Sequence, residues 1–231
     1  MKARKNQASA RAPKARAAIT KERALRTAMK LADRRGLEAV TMRRIAQALK
    51  VEAMSLYHHV PSKDAILAGM VDLVFAEIEL PRLDLDWQTA LRRRMSSVRE
   101  VLLRHPWALR ILESRAAPGA VTLAHHDAVL GCLRAAGFSI ALSARAFSVL
   151  DSFVFGFVHT ELTLPFRGEA ETQKVVAGMF DSLPAGAFPN LVEFTRQHVL
   201  VPGYSYGNEF PFGLDLILDG LERERQREAA A

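Results

Sequence analysis

The chain has 231 residues, of which 49% are apolar and 25% charged, a globular composition long enough to bury a sizeable core. The single cysteine, Cys132, excludes an internal disulfide and a multi-cysteine metal centre, which favours a reducing cytoplasm. No apolar block follows the basic N-terminus, and the richest apolar stretch, 147–166, is interrupted by Asp151, His159 and Glu161. We therefore expect a cytoplasmic protein with neither a secretion signal nor a membrane span.

The net charge of +7 is distributed unevenly along the chain. Residues 1–63 contain 16 Lys and Arg against 4 Asp and Glu, whereas residues 64–231 contain 16 against 21. Residues 1–18 are rich in Ala, Lys and Arg without an apolar period, and they predict a flexible basic arm. The asymmetry predicts a basic head that meets a polyanion and a nearly neutral body with another task.

Three short helices are predicted after this arm. The first begins at Thr20, a good N-cap, and ends at Gly36; the second begins at Thr41; the third covers about 52–59 and ends before Pro61. Helices this short are marginal alone in water, so they must pack on one another. Their predicted inward residues are Ala24, Leu25, Ala28, Met29, Ala32, Ile45, Ala46, Leu49, Leu56 and Val60.

The second and third helices, joined by a tight break near Lys50, form a helix-turn-helix pattern. Because Leu56 and Val60 point inward, the opposite face of the third helix is free to enter a major groove about 12 Å wide. Hydroxyl and cationic side chains around the third helix are suited to contacts with DNA phosphates. Such contacts fix the position of a protein on the duplex without reading its sequence. The predicted base contacts are Ala53, Met54, Tyr57 and His58. The predicted phosphate contacts are Thr41, Arg43, Arg44, Ser55 and Lys63.

A fourth helix begins at Ser62 and carries an unbroken apolar stripe through Ile78, so it is predicted to link the head to the rest. The remainder predicts an all-α fold, because no alternating strand pattern occurs. Residues 164–189, rich in Pro, Gly and polar residues, predict a long mobile connection. The further helices are predicted at 87–104, 106–115, 121–136, 140–164, 191–200 and 211–227.

Enzyme motifs are absent: the sequence has no Gly-rich phosphate loop, no nucleophile elbow and no HExxH helix. His125 and His126 are adjacent, so on a helix they point about 100° apart and cannot readily chelate one ion. His159 and Glu161 on an apolar helix are either a satisfied buried polar pair or a pair that orients a ligand. We predict no catalytic residue, no metal and no cofactor.

The segment "GLEAVTMRRIAQALKVEAMSLYHHVPSKDAILAGMV" resembles the DNA-binding head of the TetR family of bacterial transcriptional repressors. "LYHHVPSK", "WQTALRRRMSSVREVLLRHP" and "FGLDLILDGLE" are similar to the tetracycline-repressor subgroup. The resemblance implies an all-α homodimer with a helix-turn-helix head, a body that binds a small effector, and a further phosphate contact at His59. It divides the chain into a basic arm at 1–18, a DNA-binding domain at 19–66 and an effector-binding and dimerisation domain at 67–231.

Four consequences of the resemblance concern particular positions. Lys50 stands where the family usually has Gly; if that residue is left-handed, Lys costs roughly 1 kcal/mol there. Arg94, Leu112 and Arg115 stand where the tetracycline repressor places an Asn, the metal-binding His and a Thr, so magnesium–tetracycline is not expected as the ligand. The predicted effector pocket is Arg94, Met95, Val98, Leu102, Trp107, Ile111, Leu112, Arg115, Phe155 and His159. The predicted dimer interface, a four-helix bundle, uses Phe153, Phe157, Leu214, Ile217, Leu218 and Leu221.

The sequence thus predicts a ligand-responsive repressor that binds a near-palindromic site on double-stranded DNA, with recognition helices about 34–36 Å apart. An effector of unknown identity would tilt the fourth helix and move the heads out of register. Three alternatives stay open: a constitutive DNA-binding protein without an effector, a small helical enzyme, and a membrane-surface protein that uses the basic arm and the helix after Ser62.

Overall fold

A computed structural model describes residues 19–113, 118–166, 168–181, 184 and 186–230. These residues form helices and contain no β-strand, which confirms the all-α prediction. The predicted arm, 1–18, and Arg115 lie outside them. The α-helices are α1 (Lys21–Arg35), α2 (Met42–Leu49), α3 (Ala53–Tyr57), α4 (Lys63–Phe75), α5 (Trp87–Arg104), α6 (Trp107–Glu113), α7 (Ala120–Ala135), α8 (Ile140–Thr163), α9 (Glu169–Asp181), α10 (Pro189–Phe194) and α11 (Glu209–Ala229).

Side-chain caps begin the helices of the head where the sequence predicts them. The Thr20 hydroxyl accepts a hydrogen bond from the third residue of α1, and the hydroxyls of Thr41 and Ser62 do the same for α2 and α4. Gly36 ends α1 with φ +75°, a value that glycine adopts without steric cost. All ten predicted inward residues of the head are buried.

The boundaries of several helices differ from the prediction. The fourth helix ends at Phe75, earlier than the stripe through Ile78 indicated, although Ile78 is still buried. The connection predicted at 164–189 is wrong in part, because α9 occupies Glu169–Asp181. Among the α9 side chains that the structure describes, only Thr172 and Val176 are buried, so the helix lacks the apolar stripe that sequence reading requires.

Helix α8 runs through the centre of the body and packs against α5, α7 and α11. By length and hydropathy α8 is apolar enough to cross a membrane. Its inward residues instead form the core of the body, and its outer face carries polar residues such as Ser152 and Thr160. The inward apolar residues are Leu142, Ala146, Leu150, Val154 and Val158.

Helix α4 joins the head to the body, since it packs against α1 on one side and against α6 and α7 on the other. Gly69 lets α1 and α4 approach closely: a Cβ at that position would lie 2.6 Å from a methyl carbon of Leu25. A side chain there would displace Leu25 from the head core. A movement of α4 therefore acts directly on α1.

Candidate functional site

The outer face of α3 is exposed, and the described part of the chain leaves its apolar side chains partly or largely uncovered. Met54 is 72% exposed and Tyr57 44%, whereas Leu56 and Val60 on the opposite face are completely buried. His58 is also exposed. An exposed methionine and tyrosine on a short helix held rigidly by its buried face suit contacts with base edges in a groove.

Cationic and hydroxyl side chains surround this face. Arg43, Arg44 and Lys63 are exposed, as is His59. The Thr41 hydroxyl accepts a hydrogen bond of 3.2 Å from the Arg44 backbone N–H and caps α2. Helix α2 thus starts at a position defined by its cap, with two arginines in its first turn. None of the ten residues predicted to contact DNA is buried.

The turn between α2 and α3 contains a left-handed residue. Lys50 has φ 58° and ψ 47°, and its backbone N–H bonds to the carbonyl oxygens of Ala46 and Gln47. The sequence analysis expected a cost at Lys50 only if this residue is left-handed, and it is. Lys50 therefore holds a conformation that costs a non-glycine residue about 1 kcal/mol. The turn keeps its geometry because the buried helices on either side hold it.

The body contains an apolar cavity of about 380 Å³ between α4, α6, α7 and α8, which we call the body cavity. Its walls are mostly aliphatic and aromatic, with a polar patch formed by Asp151, His126 and Thr122. This composition is typical of small-molecule sites. The lining residues are Ala68, Val71, Phe75, Leu109, Ile111, Leu112, Pro118, Gly119, Thr122, His126, Asp151 and Phe155.

Three predicted pocket residues, Ile111, Leu112 and Phe155, line the body cavity. The other predicted pocket residues that the structure describes do not line this cavity. His159 is exposed, and five other residues pack in the core without lining the body cavity. Helices α4 and α7 supply the walls that the sequence analysis assigned to α5 and the start of α6. These five are Arg94, Met95, Val98, Leu102 and Trp107.

Two charged groups lie near the polar patch. Arg94 is 2% exposed, and burial lowers the pKa of its guanidinium. Burial raises the pKa of the Asp151 carboxyl to about 6, against an opposing attraction from Arg94. Burial and the charge of Arg94 lower the pKa values of both His125 and His126. The patch therefore has one permanent charge, on the guanidinium, and three groups that titrate.

Phenylalanine rings pack against both imidazoles of the histidine pair. Phe75 packs edge-on against both rings, with centroids 5.7 Å from His125 and 6.0 Å from His126, and Phe147 packs against His126 at 5.2 Å. Among the residues that the structure describes, no group of three His, Cys, Asp or Glu side chains could hold a metal ion.

Hydrogen bonds connect the head to the body at the start of α6. The Asp33 carboxylate, at the end of α1, accepts a hydrogen bond of 2.7 Å from the Trp107 indole N–H and lies 2.7 Å from Nδ1 of His105. Nε2 of His105 lies 3.4 Å from a carboxylate oxygen of Glu77. Trp107 and His105 are both buried, whereas Asp33 is exposed, so this contact, which we call the Asp33 junction, is only partly shielded from water.

Helix α6 therefore contacts the head and the body cavity at once. Leu109, Ile111 and Leu112 line the body cavity. Arg110, from the same helix, donates a hydrogen bond of 3.1 Å to Glu38 of the head. Sequence reading treated Trp107 as a pocket residue and missed its role at the Asp33 junction, because a partner 74 residues away leaves no local pattern.

The residues predicted for the dimer interface divide between two faces. Leu214, Leu218 and Leu221 are buried within the chain, so they are core residues, and the prediction that they form a surface is wrong. Phe153 and Phe157 are half-buried in an aromatic cluster with Phe210, at centroid distances of 5.3 and 5.1 Å. Ile217 is half-buried. The exposed apolar residues of α8 and α11 are Ile140, Val149, Phe212 and Leu216.

The head contains a helix-turn-helix whose α3 face is exposed, and α4 and α6 join it to a larger helical body. This combination is that of a helix-turn-helix transcriptional regulator. The chain belongs to the TetR family. Residues 24–70 match the family model of bacterial regulatory proteins of the tetR family, and residues 80–225 match the tetracyclin repressor-like C-terminal domain.

Relatives and solved structures agree with this assignment. An HTH-type transcriptional regulator of Saccharopolyspora erythraea is 34% identical over 69% of this chain and 68% of its own. The HTH-type transcriptional repressor DrrR1 of Streptomyces coeruleorubidus is 30% identical over 92% of this chain and 82% of its own. The structure of apo ActR from Streptomyces coelicolor matches with a TM-score of 0.75 at 29% identity, covering 91% of this chain and 98% of ActR. These relatives are regulators and not enzymes, which confirms the prediction of a non-enzymatic regulator.

Proposed function

We propose that this protein is a cytoplasmic repressor that binds a near-palindromic DNA operator as a homodimer and leaves it when a small molecule enters the body cavity. The observation that carries the DNA-binding part is the division of α3 into two faces. Leu56 fixes the helix in the head core, while Met54 and Tyr57 stay exposed on the other face. A soluble protein that exposes these side chains beside several arginines has a surface suited to a groove.

A homodimer is supported by exposed apolar side chains on α8 and α11. Phe212 is 67% exposed and Leu216 55%, one turn apart on α11, and Val149 on α8 is 46% exposed. Two copies that bury these faces against each other form a four-helix bundle. This interface replaces the one predicted from Leu214, Leu218 and Leu221.

Release by a small molecule is supported by the walls of the body cavity. Val71 and Phe75 of α4 line the body cavity, as do Leu109 and Ile111 of α6. Each of these two helices also contacts the head. A ligand that fits the body cavity best when these helices move apart favours a different head spacing. A coupling of roughly 1–3 kcal/mol between effector and operator is usual for such pairs.

The relatives agree with a small organic effector. ActR has been solved in complex with actinorhodin, at a TM-score of 0.74 and 29% identity, covering 90% of this chain and 99% of ActR. Magnesium–tetracycline does not fit this chain, because Arg94 and Leu112 occupy the positions of the polar contacts that the resemblance implies.

The DNA-binding proposal is tested with Tyr57→Ala. Sequences bound by the wild-type protein are first selected from a random DNA pool, and the variant is then footprinted on the selected site. We expect Tyr57→Ala to lose specific binding while the dimer persists in sedimentation, since the ring contributes no core contact. Tyr57→Phe is the matched control that separates the hydroxyl from the ring. An unchanged footprint of Tyr57→Ala would contradict the assignment of α3.

A further inference from the structure

The Asp151 carboxyl lies on the wall of the body cavity without a hydrogen-bond donor. Asp151 belongs to α8, is half-buried, and lines a space whose other walls are mostly apolar. Burial raises the pKa of this carboxyl and the attraction of Arg94 lowers it; within the part of the chain that the structure describes, no hydrogen bond adds to these two influences. The cavity wall thus carries an acceptor that is left unsatisfied.

Arg94 compensates the charge of Asp151 only in part. Burial and attraction together place the pKa of the carboxyl at about 6, above its ordinary value of 3.8, so burial outweighs the attraction. Arg94 is itself buried and is not among the residues that line the body cavity. At neutral pH the carboxyl is ionised, and a buried carboxylate favours a positively charged partner. Such a partner can reach Asp151 from the body cavity.

The other polar side chains of the cavity wall do not neutralise Asp151. The Thr122 hydroxyl donates a hydrogen bond of 2.8 Å to Asp72 of α4, so this donor is already used. His126 lines the body cavity, but burial and the charge of Arg94 lower the pKa of its imidazole. The ring is therefore neutral at neutral pH and brings no positive charge to the wall.

The apolar walls suit a ring system that carries a cationic substituent. Phe75 and Phe155 contribute aromatic rings, whose faces attract cations as well as apolar groups. The cavity volume of about 380 Å³ has room for a small fused-ring compound with a short amine arm. Arg94 repels a cation from behind the wall, whereas Asp151 can contact it directly, and the Coulomb energy falls with distance. The nearer carboxylate therefore decides which sign of charge is preferred.

On the assumption that the proposed effector site is correct, we propose that the effector is a ring compound bearing a protonated alkylamine, and that Asp151 binds this ammonium group. The ammonium donates a hydrogen bond to the unsatisfied carboxylate, and the bond is strong because both partners are charged. The rings of the effector lie among Phe75, Phe155 and the aliphatic side chains of α6. Asp151 is then the residue that selects a cationic effector over a neutral one of the same shape.

The test compares two ligands that share one ring system: 1-naphthylmethylamine, which is cationic near neutral pH, and 1-naphthalenemethanol, which is neutral. Isothermal titration calorimetry at pH ~7.5, where Asp151 is ionised, measures both affinities for the full chain and its variants. We expect the wild-type chain to bind the amine about tenfold more tightly than the alcohol, because a charge-assisted hydrogen bond is stronger than a neutral one. Asp151→Asn should lose this preference, since asparagine accepts a hydrogen bond but carries no charge. Asp127→Asn, on the exposed side of α7, is the matched control and should keep it.

Two variants that fill the body cavity from different helices, Ala68→Phe on α4 and Leu112→Phe on α6, locate the binding site. Loss of amine binding in either variant, with unchanged helicity in circular dichroism, supports binding in the body cavity. Binding retained in both variants would place the amine elsewhere and overturn the proposal. If neither ligand binds the wild-type chain, the proposed effector site fails, and the amine preference fails with it. If both ligands bind in the body cavity but Asp151→Asn weakens them equally or not at all, only the amine preference fails.

Discussion

Asp151→Asn should stabilise the protein at neutral and alkaline pH and have almost no effect in acid. The folded chain raises the pKa of this carboxyl from an ordinary value of 3.8 to about 6, chiefly through burial, and that value already contains the opposing attraction of Arg94. A shift of about two units corresponds to about 3 kcal/mol of free energy of unfolding. Asparagine keeps the shape and the polarity of the side chain without the charge.

The sign of the effect follows from which state binds the proton more tightly. Below pH 3.8 the carboxyl is protonated in both states, so its burial imposes no electrostatic cost. Between that pH and about 6 the unfolded chain releases its proton first, which lowers the free energy of unfolding of the wild-type protein. Above about 6 the folded chain holds a buried carboxylate and the full cost is present. The advantage of Asp151→Asn should therefore grow as the pH rises.

Urea unfolding at fixed protein concentration, followed by far-ultraviolet circular dichroism, measures this advantage at several pH values. We expect a difference of at most about 3 kcal/mol at pH ~8, falling towards zero at pH ~4. Asp127→Asn, on the exposed side of α7, is the matched control and should show no such trend. A difference that is constant with pH, or that grows in acid, would refute the assignment of a buried carboxyl with a raised pKa.

Three further changes test the junction, the turn and the dimer face. Asp33→Ala should lower the free energy of unfolding by about 1–3 kcal/mol, because the buried Trp107 indole N–H loses its acceptor. Thermal unfolding beside the exposed Glu100→Ala checks this, and equal stability of the two variants would contradict a stabilising Asp33 junction. Lys50→Gly should raise the free energy of unfolding by roughly 0.5–1 kcal/mol, since glycine relieves the strain of the left-handed backbone. A urea titration in which this variant is less stable than the wild type would count against that strain. Leu216→Glu should yield monomers in sedimentation with unchanged helicity, because it places a charge in the apolar dimer face; an intact dimer would rule that face out.

The head could be predicted almost completely from the sequence, because its determinants are local. Caps at Thr20, Thr41 and Ser62 begin the helices, and the apolar spacing assigns the inward residues. Once Leu56 is assigned to the core, helical geometry places Tyr57 about 100° away, towards solvent. For Lys50 the sequence offered only a condition, from the glycine that the family usually has there, and the structure supplies the left-handed backbone.

The dimer face could not be assigned from spacing alone. Helix α11 carries apolar residues on two sides, with Leu214 and Leu218 on one and Phe212 and Leu216 on the other. Sequence reading selected the side that packs inside the chain. Only the packing of α8 against α11 decides which side remains exposed, because both sides are apolar enough for a core.

The sequence by itself determined the helical class, the basic head and the face of α3 that stays exposed, since these depend on neighbours within about one helical turn. Only the tertiary structure decided the walls of the body cavity, the burial of Arg94 and the junction between Asp33 and Trp107. These features join side chains from helices distant in the chain. The packing of α4, α6, α7 and α8 sets their distances, and no spacing within one helix encodes them.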